Sequence, residues 1–170
     1  MAVGLVMGLH AMYEIFVGGT EISLQIILTY LPVSLLYILS MAMGYLGLRY
    51  IELSISSPIC NSSGALVAVM TLFMVGFSEF SPLALVAIAI VCIGAIGLGV
   101  VDYFEDDEMR AERQKESNYK YSKSLLALAM PVAYCILDAA GTFADNRVLE
   151  TLNEDSANVA YELTFLFVGI

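Results

Sequence analysis

Three long stretches of this chain carry no Asp, Glu, Lys or Arg: 27 residues over 22–48, 26 over 53–78 and 22 over 80–101. About 20 predominantly apolar residues cross a hydrocarbon core as a helix. In lipid every backbone donor and acceptor has to be satisfied inside the segment. A water-soluble core has no use for apolar runs of this length. Composition agrees, with 59% hydrophobic and 14% charged residues and a mean hydropathy of +0.82. Soluble domains run nearer half apolar and a quarter charged. The expected fold class is therefore an all-α integral membrane protein, a multispanning helical bundle in the cell membrane. A soluble enzyme, a secreted disulfide scaffold, a disordered tail and a transmembrane barrel, which would alternate in short segments, are excluded.

Seventeen acidic against seven basic residues give a formal charge of −10. That balance argues against nucleic acid, which needs a basic face to displace counterions. It also offers little to anionic lipid, because the bases are interleaved with acids. Cys60, Cys92 and Cys135 each lie inside an apolar segment without CxxC spacing, and small apolar helix residues need no metal or redox role. The N-terminus lacks the basic start of a signal peptide, and its apolar stretch contains His10 and Glu14.

Six segments can be marked. The first, 1–18, ends at Gly18-Gly19-Thr20. The second covers 23–48 and stops at Arg49. The third runs over 52–76 and contains Pro58. Ser78-Glu79-Phe80-Ser81-Pro82 reads as a turn that starts a fourth helix over 82–101. A fifth covers 124–149, interrupted by Asp138 and Asp145. A polar loop over 151–157 precedes a sixth apolar segment, 158–170. Thirteen residues reach only ~20 Å against a core of ~30 Å, so the chain reads as part of something longer.

Residues 103–123 stand apart, with 11 charges in 21 residues. Such a stretch cannot sit in hydrocarbon and is expected to be a solvated linker, dividing 1–102 from 124–170. If all segments span, this linker and the loop at Arg49 share one side and hold six of the seven bases, which the positive-inside rule places in the cytoplasm. Arg147 is the exception.

Two places could carry chemistry. In the third segment Pro58 removes an amide donor and crowds the carbonyl four residues back. Ser54, one turn before Pro58, can help satisfy the freed backbone, with Ser57 adjacent, and Ser54, Pro58 and Asn61 share a helical face. Kinked helices near mid-membrane are where transporters often place solute sites. A packing kink, with serines bonded to their own carbonyls, is the competing account. In the fifth segment Tyr134, Asp138, Gly141 with Thr142, and Asp145 recur on one face. An Asp at the centre of a span costs ~2.5–3.5 kcal/mol on insertion scales, so Asp138 should face a cavity or a partner. A structural hydrogen bond to a neighbouring helix competes with a proton-carrying or cation-binding role.

Tyr30 and Tyr37, one heptad apart, are cavity-lining or interfacial tyrosines. Glu14 and the lone His10 are weaker candidates. Gly94-x-x-Gly97-x-Gly99 follows no strand and more plausibly allows close helix packing than nucleotide binding. No catalytic set is visible: the chain has no HExxH, no Walker lysine and no serine–histidine arrangement.

The order of segments resembles the EamA-like transporters of the drug/metabolite transporter superfamily. The stretch YLPVSLLYILSMAMGYLGLRYIELSISSPICNSSGALVAVM, residues 30–70, carries the likeness. In that family a helix ends in a motif like AL-x-Y and the next carries small residues and a proline, as Leu48-Arg49-Tyr50 and Pro58 do here. Residues 82–101 then look like helix five, SLLALAMPVAYCILDAAGTFADNRVLE like helix six and YELTFLFVGI like the start of helix seven. The resemblance implies a truncated part of a ten-helix inverted-repeat transporter, from the end of helix two onward, without metal or nucleotide cofactor. It also implies both termini in the cytoplasm and the 103–123 linker outside, against the basic residues, and the two orientations stand opposed.

The implied activity is secondary transport of a small metabolite or drug-like solute by alternating access. Asp138, Asn61, Ser57, Pro58, Ser54, Tyr134 and Tyr37 are the expected substrate-binding residues. The expected partners are a small-molecule solute and the lipid bilayer, with no nucleic acid; a homodimer is one way to supply a second half. The alternative is a membrane assembly or signalling subunit whose intramembrane polar residues only pair helices. In a carrier Asp138 and the Asn61 face should converge on one wettable cavity.

Overall fold

The computed structural model describes residues 2–76, 78, 80–115 and 125–169, with the side chains at 54, 75, 102, 113, 126 and 169 outside the described set. Within it run α1 (Ala2–Tyr13), which continues into a π-helical turn at Glu14–Gly18, then α2 (Leu24–Gly47), α3 (Leu53–Asn61), α4 (Ser63–Val75), α5 (Pro82–Phe104), α6 (Asp107–Arg113), α7 (Leu125–Val148) and α8 (Glu154–Gly169). Four helical stretches are long and apolar enough to cross a membrane: Leu24–Gly47, Ile55–Met74, Pro82–Val101 and Ala127–Val148. This is a multi-pass, all-α membrane protein. Their outward side chains, such as Phe73, Leu83, Ile93 and Ile96, are exposed and apolar, as suits a surface solvated by lipid.

The local chemistry explains most boundaries. Ser81 is extended (φ −65°, ψ 150°) and its hydroxyl accepts the Ala84 amide, with Pro82 at the first helical position, where a missing N–H costs nothing. Gly19 closes the π turn at φ 73°, and its amide donates to the Glu14 carbonyl; this left-handed conformation suits a residue without Cβ. The last helix begins at Glu154, inside the stretch expected to be a polar loop. Asn153 accepts the Asp155 amide through its side chain at 2.8 Å, and Glu154 and Asp155 face the positive end of the helix dipole.

The third span breaks at a different place from the one its proline suggests. Pro58 lies inside α3, and the backbone stays helical through Asn61 before interrupting at Ser62 (φ −78°, ψ −1°). There the Ser62 amide donates to Ile59 O at 3.1 Å in a tighter turn. The Ser62 hydroxyl donates to the same carbonyl at 2.6 Å. Side-chain competition for a backbone carbonyl, rather than the proline ring, marks the discontinuity.

By its contacts the chain divides into two compact units, Met1–Leu39 with Ala140–Ile170, and Ser40–Ala139. In the first, α1 packs on α8 through a small-residue face of Gly4, Gly8 and Ala11. A Cβ on Gly8 would lie 2.7 Å from Leu166 Cδ1, so glycine is what permits this approach. Tyr30 and Val33 of α2 and Ala157 and Ala160 of α8 form its buried centre. In the second unit Ile51, Ile55 and Ile59 gather with Ala127. Close packing there falls on Gly44, whose added Cβ would meet the Tyr134 ring at 2.8 Å, and on Gly47, 3.1 Å from Met130 Cβ. Gly94 and Gly97, expected to serve that purpose, have nothing within 4 Å where a Cβ would stand; Gly99 meets Leu128 at 3.5 Å.

The charged stretch is not uniformly solvated in its described part. Arg110 and Gln114 are buried, and Arg110 pairs with Glu105 at 3.6 Å. A short helix can turn the aliphatic stem of an arginine inward. Residues 116–123 lie outside the described residues.

Candidate functional site

The second unit contains a groove of about 230 Å³ where α3 faces the end of α2 and α7, apolar over most of its wall but carrying a patch of polar side chains. Its polar lining consists of Tyr45, Ser56, Ser57, Cys60, Asn61 and Tyr134. The helical repeat of α3 supplies four of these as two pairs, each one turn apart. Asn61 Nδ2 donates to Ser57 Oγ at 3.1 Å, and Ser56 Oγ lies 3.7 Å from Cys60 Sγ. Tyr134 enters from α7 over Gly44, whose missing side chain makes room for the ring. Among the described residues the Tyr134 hydroxyl makes no hydrogen bond.

Asp138 sits one turn beyond Tyr134 on α7 and is half-buried. It does not line the groove wall, but it lies within electrostatic reach of Tyr134, Cys60 and Cys135. No hydrogen bond or ion pair engages its carboxylate among the described residues. Negative charge held near a cluster of hydroxyls and an amide can attract a cation or a donor-bearing solute.

The expected site residues thus separate. Ser57, Asn61 and Tyr134 meet in one groove, with Asp138 near two of its lining residues. Pro58 is exposed and is not among the lining residues. The Ser54 side chain lies outside the described residues. Tyr37 belongs to the first unit, where it donates to Thr142 Oγ1 at 3.2 Å and sets its ring edge-on to Tyr161 at 6.1 Å. Asp145, in the same unit, accepts a hydrogen bond from Tyr30 at 2.6 Å.

Three groove residues escaped the sequence reading: Tyr45, Ser56 and Cys60. The available signal was the i, i+4 spacing of Ser56 with Cys60, parallel to that of Ser57 with Asn61.

Beyond the break at Ser62 the second unit holds an apolar cavity of about 420 Å³ between α3, α4, α5 and α7. Its polar atoms come chiefly from Ser62, Cys135 and Tyr103, and Ser62 Oγ lies 3.4 Å from Cys135 Sγ. The Ser62 hydroxyl therefore touches both the helix interruption and the cavity. Among the described residues no group of three or more His, Cys, Asp or Glu is placed to hold a metal ion. No known protein family, curated protein or solved structure matches the chain.

Proposed function

We propose that this chain is part of a secondary membrane carrier that moves a small metabolite or drug-like solute by alternating access. Membership of the EamA-like group of the drug/metabolite transporter superfamily belongs to the same proposal and rests on the order of segments. The observation that carries the reading is a membrane-length helix interrupted at Ser62 beside a groove of hydroxyls and an amide, with the Asp138 carboxylate nearby. Interrupted helices lower the cost of exposing polar backbone to a solute at mid-membrane. Ser57, Asn61 and Tyr134 would supply hydrogen bonds, and Asp138 would supply charge or a titratable proton.

A second reading, an assembly or signalling subunit, draws on the paired polar groups. Asn61 is bonded within its own helix, and Tyr30–Asp145 and Tyr37–Thr142 join helices. Cys60 separates the two readings, because it lines the groove while Cys135 is buried. In a carrier, single-cysteine versions in sealed membranes should label with an impermeant maleimide at Cys60 and resist at Cys135. Equal resistance at both positions, with the protein inserted, would favour dry helix pairing and sink the carrier reading.

A further inference from the structure

The contact between α1 and α8 has two chemically different parts. Gly4, Gly8 and Ala11 make an apolar seam, which responds little to pH. Beside it lies a charged cluster. His10 Nδ1 is 2.9 Å from Glu162 Oε1 and 3.0 Å from Oε2, and His10 Nε2 is 3.8 Å from Glu14 Oε1. Glu14 opens the π-helical turn, a wider coil that often marks a functional position. Its carboxylate folds back over Gly18, where an added Cβ would come within 2.5 Å of Oε2. A cavity of about 160 Å³ opens alongside, lined by His10, Glu14, Asp155, Asn158, Val159 and Glu162. The charged groups acting on the imidazole are Glu14 from its own helix and Glu162 from α8, and Asp155 of α8 lines the same cavity; all are acids. The imidazole is 58% exposed.

We propose that His10, Glu14 and Glu162 form a proton-operated clasp that fastens the π-turned end of α1 to α8. The imidazolium donates one ring N–H to Glu162 and holds its charge near the Glu14 carboxylate, so that a positive charge stands between two acids. The neutral ring keeps one N–H and leaves the acids uncompensated across the contact. Hydrogen bonding to Glu162 and its charge, helped by Glu14 and opposed by desolvation, raise the His10 pKa above the ordinary 6.5. A raised pKa in the folded state means that the stabilisation is complete below the ordinary value. It is lost as pH climbs through the raised one. The clasp is closed in acid and released in mild alkali. It stands independently of the transport reading, since it concerns the docking of α1 and not a solute.

His10 is the chain's one histidine, so the test needs no assignment. The imidazole of the full chain in lipid nanodiscs is titrated by NMR, as wild type and as Glu162→Gln. The expected wild-type midpoint lies above the ordinary value and falls toward it in Glu162→Gln. Amide exchange over residues 2–13, corrected for intrinsic rates, should lose protection several-fold between about pH 5.5 and about pH 8.5 in the wild type. The same measurement on His10→Gln should be flat. An ordinary midpoint indifferent to Glu162→Gln, or a pH response that persists in His10→Gln, would overturn the proposal. Glu162→Gln keeps the imidazole and serves if His10→Gln does not fold.

Discussion

Two aspartates seven residues apart on α7 sit in opposite circumstances. Asp145, in the first unit, accepts a 2.6 Å hydrogen bond from a tyrosine that is only 4% exposed. Around it Tyr37 bonds Thr142, and Ser156 donates to the Glu21 carbonyl at 2.8 Å. Asp138, in the second unit, engages no such donor among the described residues, and its neighbours are groove residues whose polar atoms are partly unspent. The same side chain on the same helix is thus a structural acceptor in one place and an available charge in the other. An intramembrane carboxylate has to be repaid by something. In the first unit a tyrosine hydroxyl does it; in the second, on the proposed carrier reading, water or solute reaching Asp138 from the groove side would do it.

The sharpest way to break this contrast is to neutralise each acid in turn. If the carrier reading holds, Asp138→Asn in the complete carrier should lower initial solute uptake per inserted protein roughly tenfold or more, equivalent to ~1.4 kcal/mol, with insertion retained. Asp145→Asn still accepts from Tyr30 and should change uptake by less than about threefold on the same scale. Equal losses, or normal uptake with failed insertion in Asp138→Asn, would erase the distinction.

A smaller effect is expected on stability, from the tyrosines. Tyr30→Phe strips Asp145 of its donor and should cost roughly 0.6–1.7 kcal/mol, the span seen for interhelical bonds in membrane bundles. Tyr134→Phe removes a hydroxyl with no bond to lose and should stay within about 0.5 kcal/mol. Reversible unfolding in mixed micelles reads both, and a reversed order would mean that the groove hydroxyl is the structural one.

On the open face of α5 a gain, and not a loss, is expected. Gly94→Ala and Gly97→Ala meet no neighbour within 4 Å. They should leave stability unchanged or raise it by up to ~1 kcal/mol through helix propensity. A clear loss in the same unfolding assay would show that a partner covers this face.

What could be read from the residues divides along physical lines. The spans were legible because bilayer thickness sets a length that 22–48, 53–78 and 80–101 meet unaided. The start of α5 was legible because Ser81 and Pro82 act within one turn. Ser62 was harder, since its hydroxyl reaches both Ile59 O and Cys135, 73 residues away, and Pro58 offered a louder local signal. The glycines show the same limit. Gly8, Gly44 and Gly94 look alike in sequence, and only the helix opposite decides which of them admits a close approach. At the candidate site, Ser57 and Asn61 followed from helical spacing. Tyr45 depended on where α2 runs against α3 and α7.

In the spanning window of α5, 6% of the residues are buried, and most of the others face outward. A helix held so lightly owes its place to the acyl chains that surround it. Those chains press from the side, and their pressure changes with tail length and with extraction into detergent. Ile96, Gly99 and Val100 of α5 form one wall of the apolar cavity, so that wall is upholstered partly by the solvent. In thinner bilayers or short-chain micelles, amide exchange along α5 should rise before exchange around Ile51, Ile55 and Ile59 does.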